Sequence, residues 1–170
     1  MKRCVIGVVL VVVMCAAAVV VAQSARDWLE KGIEYSNEGN YEKALECDTK
    51  AIKLDPNWAL AYYYRGIDFD DLGRYDEAIA DYTKAIELDP DFEKAYYNRA
   101  SAYSDIERYN ESIVDLTKAI ELNPKDSRYF FNRAVAYVQL EEYEKAIADL
   151  KTACDLGDGK ACEALEALEE

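Results

Sequence analysis

The stretch Thr83-Lys84-Ala85-Ile86-Glu87-Leu88-Asp89-Pro90 returns as Thr49-Lys50-Ala51-Ile52-Lys53-Leu54-Asp55-Pro56 and as Thr117-Lys118-Ala119-Ile120-Glu121-Leu122-Asn123-Pro124. The chain's three prolines, Pro56, Pro90 and Pro124, therefore stand 34 residues apart. A fixed period of this length is the mark of stacked supersecondary units. In each copy Ala, Ile and Leu at i, i+1 and i+3 form the apolar end of a helix and Asp or Asn follows. The proline then lacks the N–H that a further turn needs, and its ring clashes with the turn before it. The stretch closes the second helix of each unit.

Superposing the units at this period orders the rest of the chain. Trp28, Tyr62, Tyr96 and Phe130 share the fourth position, Gly32, Gly66, Ala100 and Ala134 the eighth, and Tyr35, Phe69, Tyr103 and Tyr137 the eleventh. Tyr41, Tyr75, Tyr109 and Tyr143 occupy the seventeenth, Ala44, Ala78, Ser112 and Ala146 the twentieth, and Ala51, Ala85, Ala119 and Ala153 the twenty-seventh. Large side chains facing small ones at these intervals interdigitate two antiparallel helices. The spacing predicts helices over 25–38, 41–54, 59–72, 76–88, 93–106, 110–122, 127–140 and 144–156.

At these residues the sequence resembles the tetratricopeptide repeat family, a helix-turn-helix unit of 34 residues with this pattern of large, small and proline positions. The resemblance runs from about Ala25 to Leu156. It implies an all-α, right-handed superhelical solenoid of antiparallel helix pairs, with units at about 25–58, 59–92, 93–126 and 127–158. Three features depart from the pattern. Asp48 stands where Tyr82, Leu116 and Leu150 stand later, which predicts looser packing in the first unit; Glu107 and Glu141 replace the turn glycines Gly39 and Gly73; and Asp158 takes the place of the last proline. After Leu156-Gly157-Asp158-Gly159 a final helix, within a cap at 159–170, carries Ala161, Ala164, Leu165 and Leu168 on one face and Glu163, Glu166 and Glu170 on the other. A polar-backed helix of this kind closes the open end of a solenoid.

A chain of 170 residues, 51% hydrophobic and 32% charged, is long enough for one ordered domain, with its core distributed between neighbouring units. Its formal net charge is -14, or -16 once Lys2 and Arg3 leave with the leader. That charge repels phosphates, so nucleic acid is not an expected partner and anionic lipid is disfavoured. The leader is Met1-Lys2-Arg3 followed by an apolar run from Cys4 to Ala22. Residues 1–22 read as an export signal cleaved after Ala22 or, given the length of the run, as an uncleaved membrane anchor. Either way the repeats are expected on the non-cytoplasmic side, periplasmic, secreted or membrane-anchored, and such an anchor is the one membrane attachment foreseen.

Cys4 and Cys15 belong to the leader, leaving Cys47, Cys154 and Cys162. The segment Ala153 to Cys162 resembles Sel-one-like repeats of exported, cysteine-rich proteins, which implies a Cys154–Cys162 disulfide between adjacent helices. An oxidising compartment and a tight Gly-containing turn agree with it, and closing so small a loop adds about 2 to 3 kcal/mol in the entropic account. The alternative is two small buried hydrophobes. Cys47 reads as a buried thiol, with pairing to another chain as the alternative.

Catalytic chemistry finds little footing. The chain has no histidine, which removes the usual general base, Ser-His and Cys-His nucleophile pairs and most zinc sites. No glycine-rich phosphate loop is present and no cofactor is implied. Asp68, Asp70 and Asp71 lack the alternating ligands and turn glycine of a calcium loop and read as a solvated helix end. Asn110-Glu111-Ser112 fits a glycosylation acceptor, although Ser112 falls at a packed position. An enzyme is not expected.

What remains is surface. In the family resembled, the first helices of successive units line a concave groove that holds an extended peptide or a helix. The matching positions here are Leu29, Tyr63, Tyr97 and Phe131, then Tyr64, Asn98 and Asn132, then Lys94 and Arg128, with Asp70, Asp71, Asp105 and Gln139 further along. Aromatic rings offer contact area at small entropic cost and asparagines can hold a peptide backbone. For Tyr63 and Tyr97, packing against the neighbouring first helix is an equal alternative. The family's carboxylate clamp for acidic tails maps onto Tyr63, Ile67, Asn98, Arg128 and Asn132, of which Asn98 and Arg128 alone fit. The expected function is an exported scaffold or adaptor that binds a peptide segment of another protein. A small-ligand or divalent-metal module and a structural spacer are the alternatives.

Overall fold

The computed structural model describes residues 25–169, with side chains to residue 167. The readings on residues 1–22, including Cys4 and Cys15, and on the side chains of Leu168 and Glu170 lie outside the described residues. Nine helices form among those described: α1 (25–37), α2 (Tyr41–Leu54), α3 (Ala59–Asp71), α4 (Tyr75–Leu88), α5 (Glu93–Asp105), α6 (Tyr109–Leu122), α7 (Ser127–Gln139), α8 (Tyr143–Asp155) and α9 (Gly159–Glu169). Each helix packs on the next in sequence, giving the right-handed solenoid of antiparallel pairs that the repeat implies.

Two kinds of turn alternate. Within a unit, the second residue after the first helix takes a positive φ: 74° at Gly39, 70° at Gly73, 61° at Glu107 and 60° at Glu141. The following amide donates back to the helix, as from Arg74 to the Phe69 carbonyl and from Arg108 to the Tyr103 carbonyl, both at 2.8 Å. This is a Schellman closure, and an L-residue such as Glu enters it at a steric cost that glycine avoids. Between units, the acid or amide before proline accepts from the amide two residues on, at 3.2 Å for Asp55 and Asp89 and 3.4 Å for Asn123. The α8–α9 turn needs no proline, because Gly157 closes it in the first manner with a φ of 96°.

The small positions let the helices approach. Ala44, Ala78, Ser112, Ala146, Ala51, Ala85, Ala119 and Ala153 are all sealed from solvent. Contacts also run from α3 to α5 and from α5 to α7, whereas α4 and α6 stay further apart, so the odd-numbered helices line the inside of the curve.

A second repeated device ties the junctions. Arg65 on α3 grips Asp81 on α4 with two bonds of 2.6 and 2.8 Å and reaches back to Thr49 on α2 at 3.3 Å. Arg99 does the same with Asp115 and Thr83, and Arg133 with Asp149 and Thr117. Bidentate pairs of this geometry are strong and directional, and these are largely shielded from water. The first unit has none: Lys31 and Cys47 hold the places of the arginine and the aspartate. Cys47 is a buried free thiol, its pKa raised by that burial.

The Asp48 slot departs from expectation. It is closed rather than loose, since Asp48 is fully buried so tightly against Gly32 that a methyl there would meet its Oδ1. The penalty is electrostatic. Both oxygens of Asp48 and Oδ1 of Asp68 lack hydrogen-bond partners, and burial together with the facing Asp68 pushes the Asp48 carboxyl up to about 9. Asp68 is 1% exposed, so it does not belong to a solvated helix end, and burial raises its pKa as well. In the next two junctions the same pair of positions holds Tyr82 with Ala102 and Leu116 with Ala136, all buried.

At the other end, Cys154 and Cys162 are bonded across α8 and α9 with their Cα atoms 4.8 Å apart, inside the range a disulfide needs. Ala161 is sealed beneath them, and Ala164 and Leu165 pack against the last core cluster with Ala134, Leu150 and Ala153.

Candidate functional site

The inner face is paved by rings that lean on the next unit. Tyr63 on α3 lies 4.7 Å from the ring of Phe92 and 5.5 Å from that of Tyr64, and Tyr97 on α5 lies 5.1 Å from that of Tyr129. Their hydroxyls accept from the asparagine one repeat on, Asn98 to Tyr63 at 3.2 Å and Asn132 to Tyr97 at 2.9 Å. Tyr63, Tyr64, Tyr97, Asn98, Phe131 and Asn132 are all half-buried, so lateral packing uses one side of each and leaves the other to solvent. Lateral packing and an accessible ladder thus coexist.

Leu29 differs from the groove position expected of it. It is 2% exposed, in a core cluster with Ala51, Ile52 and Ala61, because α1 turns this side chain toward α2 and α3. It offers no surface to a ligand. Arg128 is exposed but already answered: Asp126, which caps α7, holds it with bonds of 2.9 and 2.6 Å, and the guanidinium sits 5.6 Å above the Tyr97 ring. Of the positions a carboxylate clamp would use, Asn98 and Asn132 are engaged by tyrosines and Arg128 is neutralised.

The face changes character along its length. Near α3 and α5 it is acidic, with Asp70 half-buried and Asp71 and Asp105 exposed. Burial, then Asp105 and Asp71, push the Asp70 carboxyl up to about 6, and its Oδ1 has no hydrogen-bond partner. In the middle, a 70 Å³ pocket opens between α5 and α7, lined by Tyr97, Ser101, Ser104 and Asn132. At the far end a cleft of about 270 Å³ lies between α7, α8 and α9, walled by Phe131, Val135, Val138, Leu150, Ala164 and Ala167. This cleft was not foreseen. Its signal was present in Val135 and Val138, which stand where the preceding unit carries Ser101 and Ser104.

Among the described residues, no group of three or more His, Cys, Asp or Glu side chains is arranged to hold a metal ion, and no helix is long and apolar enough to cross a membrane. In the Asn110-Glu111-Ser112 triplet, Ser112 is sealed between α5 and α6 and accepts from the Ser104 hydroxyl at 2.8 Å.

No curated protein matches the chain. Family models described as TPR repeat or tetratricopeptide repeat match residues 69–107, 93–126, 116–148 and 25–57. Among solved structures, crystalline MamA is 25% identical with a TM-score of 0.77, covering 81% of each chain. The first TPR of Spaghetti (RPAP3), bound to the HSP90 peptide SRMEEVD, is 28% identical with a TM-score of 0.63, over 75% of this chain and 95% of that one. The Arabidopsis OM64 TPR domain is 29% identical with a TM-score of 0.65, over 72% and 98%. Family models that together match residues 25–57 and 69–148, and solved repeats that superpose on the helix pairs, establish that the chain belongs to the tetratricopeptide repeat family.

Proposed function

We propose that this protein is an exported interaction scaffold whose inner face captures a peptide segment of a partner protein. The observation that carries the reading is the pavement itself: tyrosine rings spaced one repeat apart, each fixed at its hydroxyl by an asparagine and half-open to solvent. Rings fixed in this way lose little entropy when a segment settles on them. A related repeat that holds a peptide supports the same use of the fold. The ligand differs, however. SRMEEVD carries three carboxylate side chains, and here such a peptide meets Asp70, Asp71 and Asp105 with Arg128 already occupied.

Export is supported by the basic start and apolar run of residues 1–22, and by the Cys154–Cys162 bond, which persists in oxidising compartments. The likeness of the bonded segment to exported Sel-one-like repeats points the same way. No catalytic role is assigned. The test is site-specific photo-crosslinking in the native host, with a probe at Tyr97 on the inner face and a control at Lys118 on α6. A discrete partner trapped from Tyr97 and not from Lys118 is expected. Equal labelling from both positions, or none, would sink the reading.

A further inference from the structure

The three groove acids contrast with the acids of the arginine network. Asp81, Asp115 and Asp149 each hold an arginine, whereas no Lys or Arg among the described residues forms an ion pair with Asp70, Asp71 or Asp105. Negative charge is crowded there without a counter-cation, and Asp105 and Asp71 add to the burial that raises the Asp70 pKa. A second group points to the same spot from below. Tyr82 on α4 is 0% exposed, and its hydroxyl lacks a hydrogen-bond partner. Its ring passes beneath α3 where Gly66 leaves room, since a Cβ there would fall 2.6 Å from Cε1. Near the hydroxyl lie Asp70, Asp71, Tyr63 and Asn98, all on the inner face, and the Asn98 amide donates to Tyr63 at 3.2 Å. Leu116 and Leu150 fill this slot in the next two units, so the buried hydroxyl occurs beneath the acidic stretch alone.

A hydroxyl oxygen and a carboxylate oxygen, both unmatched and bordered by two more carboxylates and the ring of Tyr63, form a receptor for an ammonium or guanidinium group. The cations receive hydrogen-bond acceptors, negative charge and aromatic faces together. The apolar cleft lies two inner helices further on. Neighbouring helices pack about 8 to 10 Å apart, so the separation is roughly 20 Å, and an extended chain crosses that distance in about six residues.

Resting on the groove reading above, we propose that the segment bound is basic and bipartite. A Lys or Arg enters the site formed by Asp70, Asp71, Asp105 and Tyr82, and a bulky aliphatic or aromatic side chain about six residues away enters the cleft of Phe131, Val135 and Val138. Charge complementarity fixes the class of partner, because the chain itself carries a net charge of -14 and a second copy brings like charge to the face.

The test is selection of random dodecapeptides on the full chain, followed by fluorescence anisotropy of the enriched sequences. Enrichment of a basic residue five to seven positions from Phe, Leu, Ile or Trp is expected. Asp71→Asn with Asp105→Asn, both exposed and structurally silent, should weaken those peptides about tenfold and flatten their salt dependence; Val135→Asp should weaken them to a similar degree. Enrichment of neutral or acidic peptides, no enrichment, or indifference to the Asp71/Asp105 pair overturns the proposal. Peptides that lack a basic residue yet lose binding with Asn132→Ala overturn it while leaving the groove reading in place. Peptides indifferent to all these variants remove both.

Discussion

The first unit and the second are built to one plan and held together in opposite ways. In the second, Tyr82 fills the space against Gly66 and Ala102, and Arg65 binds Asp81 and Thr49. In the first, Asp48 fills it against Gly32 and the facing Asp68, and no arginine pair exists. Both slots are closed sterically. A repeat can therefore conserve its shape while exchanging the force behind it: burial of an aromatic ring in one case, and in the other a carboxyl pair that is tolerated only with a proton. The array is expected to be firm from α3 onward and weakest at α1–α2.

The comparison breaks most directly at Tyr82. Tyr82→Ala should cost about 3 to 5 kcal/mol in denaturant unfolding, the usual range for emptying a buried aromatic site. Tyr82→Phe, which removes a hydroxyl without a partner, should change stability by less than about 1 kcal/mol. A small loss from the alanine variant would mean that the ring is not what holds the second unit.

Copying the third junction into the first tests the other half. Asp48→Leu with Asp68→Ala should raise stability at neutral pH by up to about 4 kcal/mol, as when buried charges give way to matched apolar groups. The pH dependence has a defined sign. The Asp48 carboxyl holds its proton more tightly folded than unfolded, so its contribution is complete below about pH 4, the unfolded value, and is lost as pH rises toward about 9. Stability of the natural chain measured from pH 5 to 9 should therefore fall relative to the double variant. Parallel curves would show that the pair does not titrate in this window.

Removing the terminal bond with Cys154→Ser and Cys162→Ser should cost about 2 to 3 kcal/mol by the loop-entropy account. Hydrogen exchange should speed in α9 while α3 to α6 keep their protection, since the bond joins only α8 and α9. The smallest effect is at the turns. Glu107→Gly and Glu141→Gly should each gain about 0.5 to 1 kcal/mol by relieving a positive φ, observable as a shift in the denaturation midpoint.

The helices, their order and the turns were legible to within a residue or so, because proline spacing and the large-small alternation encode them locally. The inner face was legible as positions but not as states. Leu29 shares a repeat position with Tyr63 and Tyr97, yet it is drawn into the core with Ala51, Ile52 and Ala61. Asp68 was misread as solvated because an acid near a helix end usually is; its alignment with Ala102 and Ala136 marks the position as interior. The Arg65–Asp81–Thr49 network escaped notice since its members lie 16 residues apart on three helices and each alone looks like surface charge. The far cleft depends on α9, which no repeat position describes.

That network also makes array length an independent variable. Thr83 and Thr117 stand at equivalent points of α4 and α6, and the five residues after each, Lys-Ala-Ile-Glu-Leu, are identical. Excising residues 84–117 would join Thr83 to Lys118, regenerate the sequence of α4 residue for residue, and hand Arg133 the threonine that Arg99 used. Every remaining junction would find its partners. The acidic site would lose Asp105 and move one helix nearer the apolar cleft, about 10 Å, or three residues of extended peptide. The solenoid is thus a ruler graduated in whole helix pairs, and the spacing of features that it reads in a partner can change only in steps of that size.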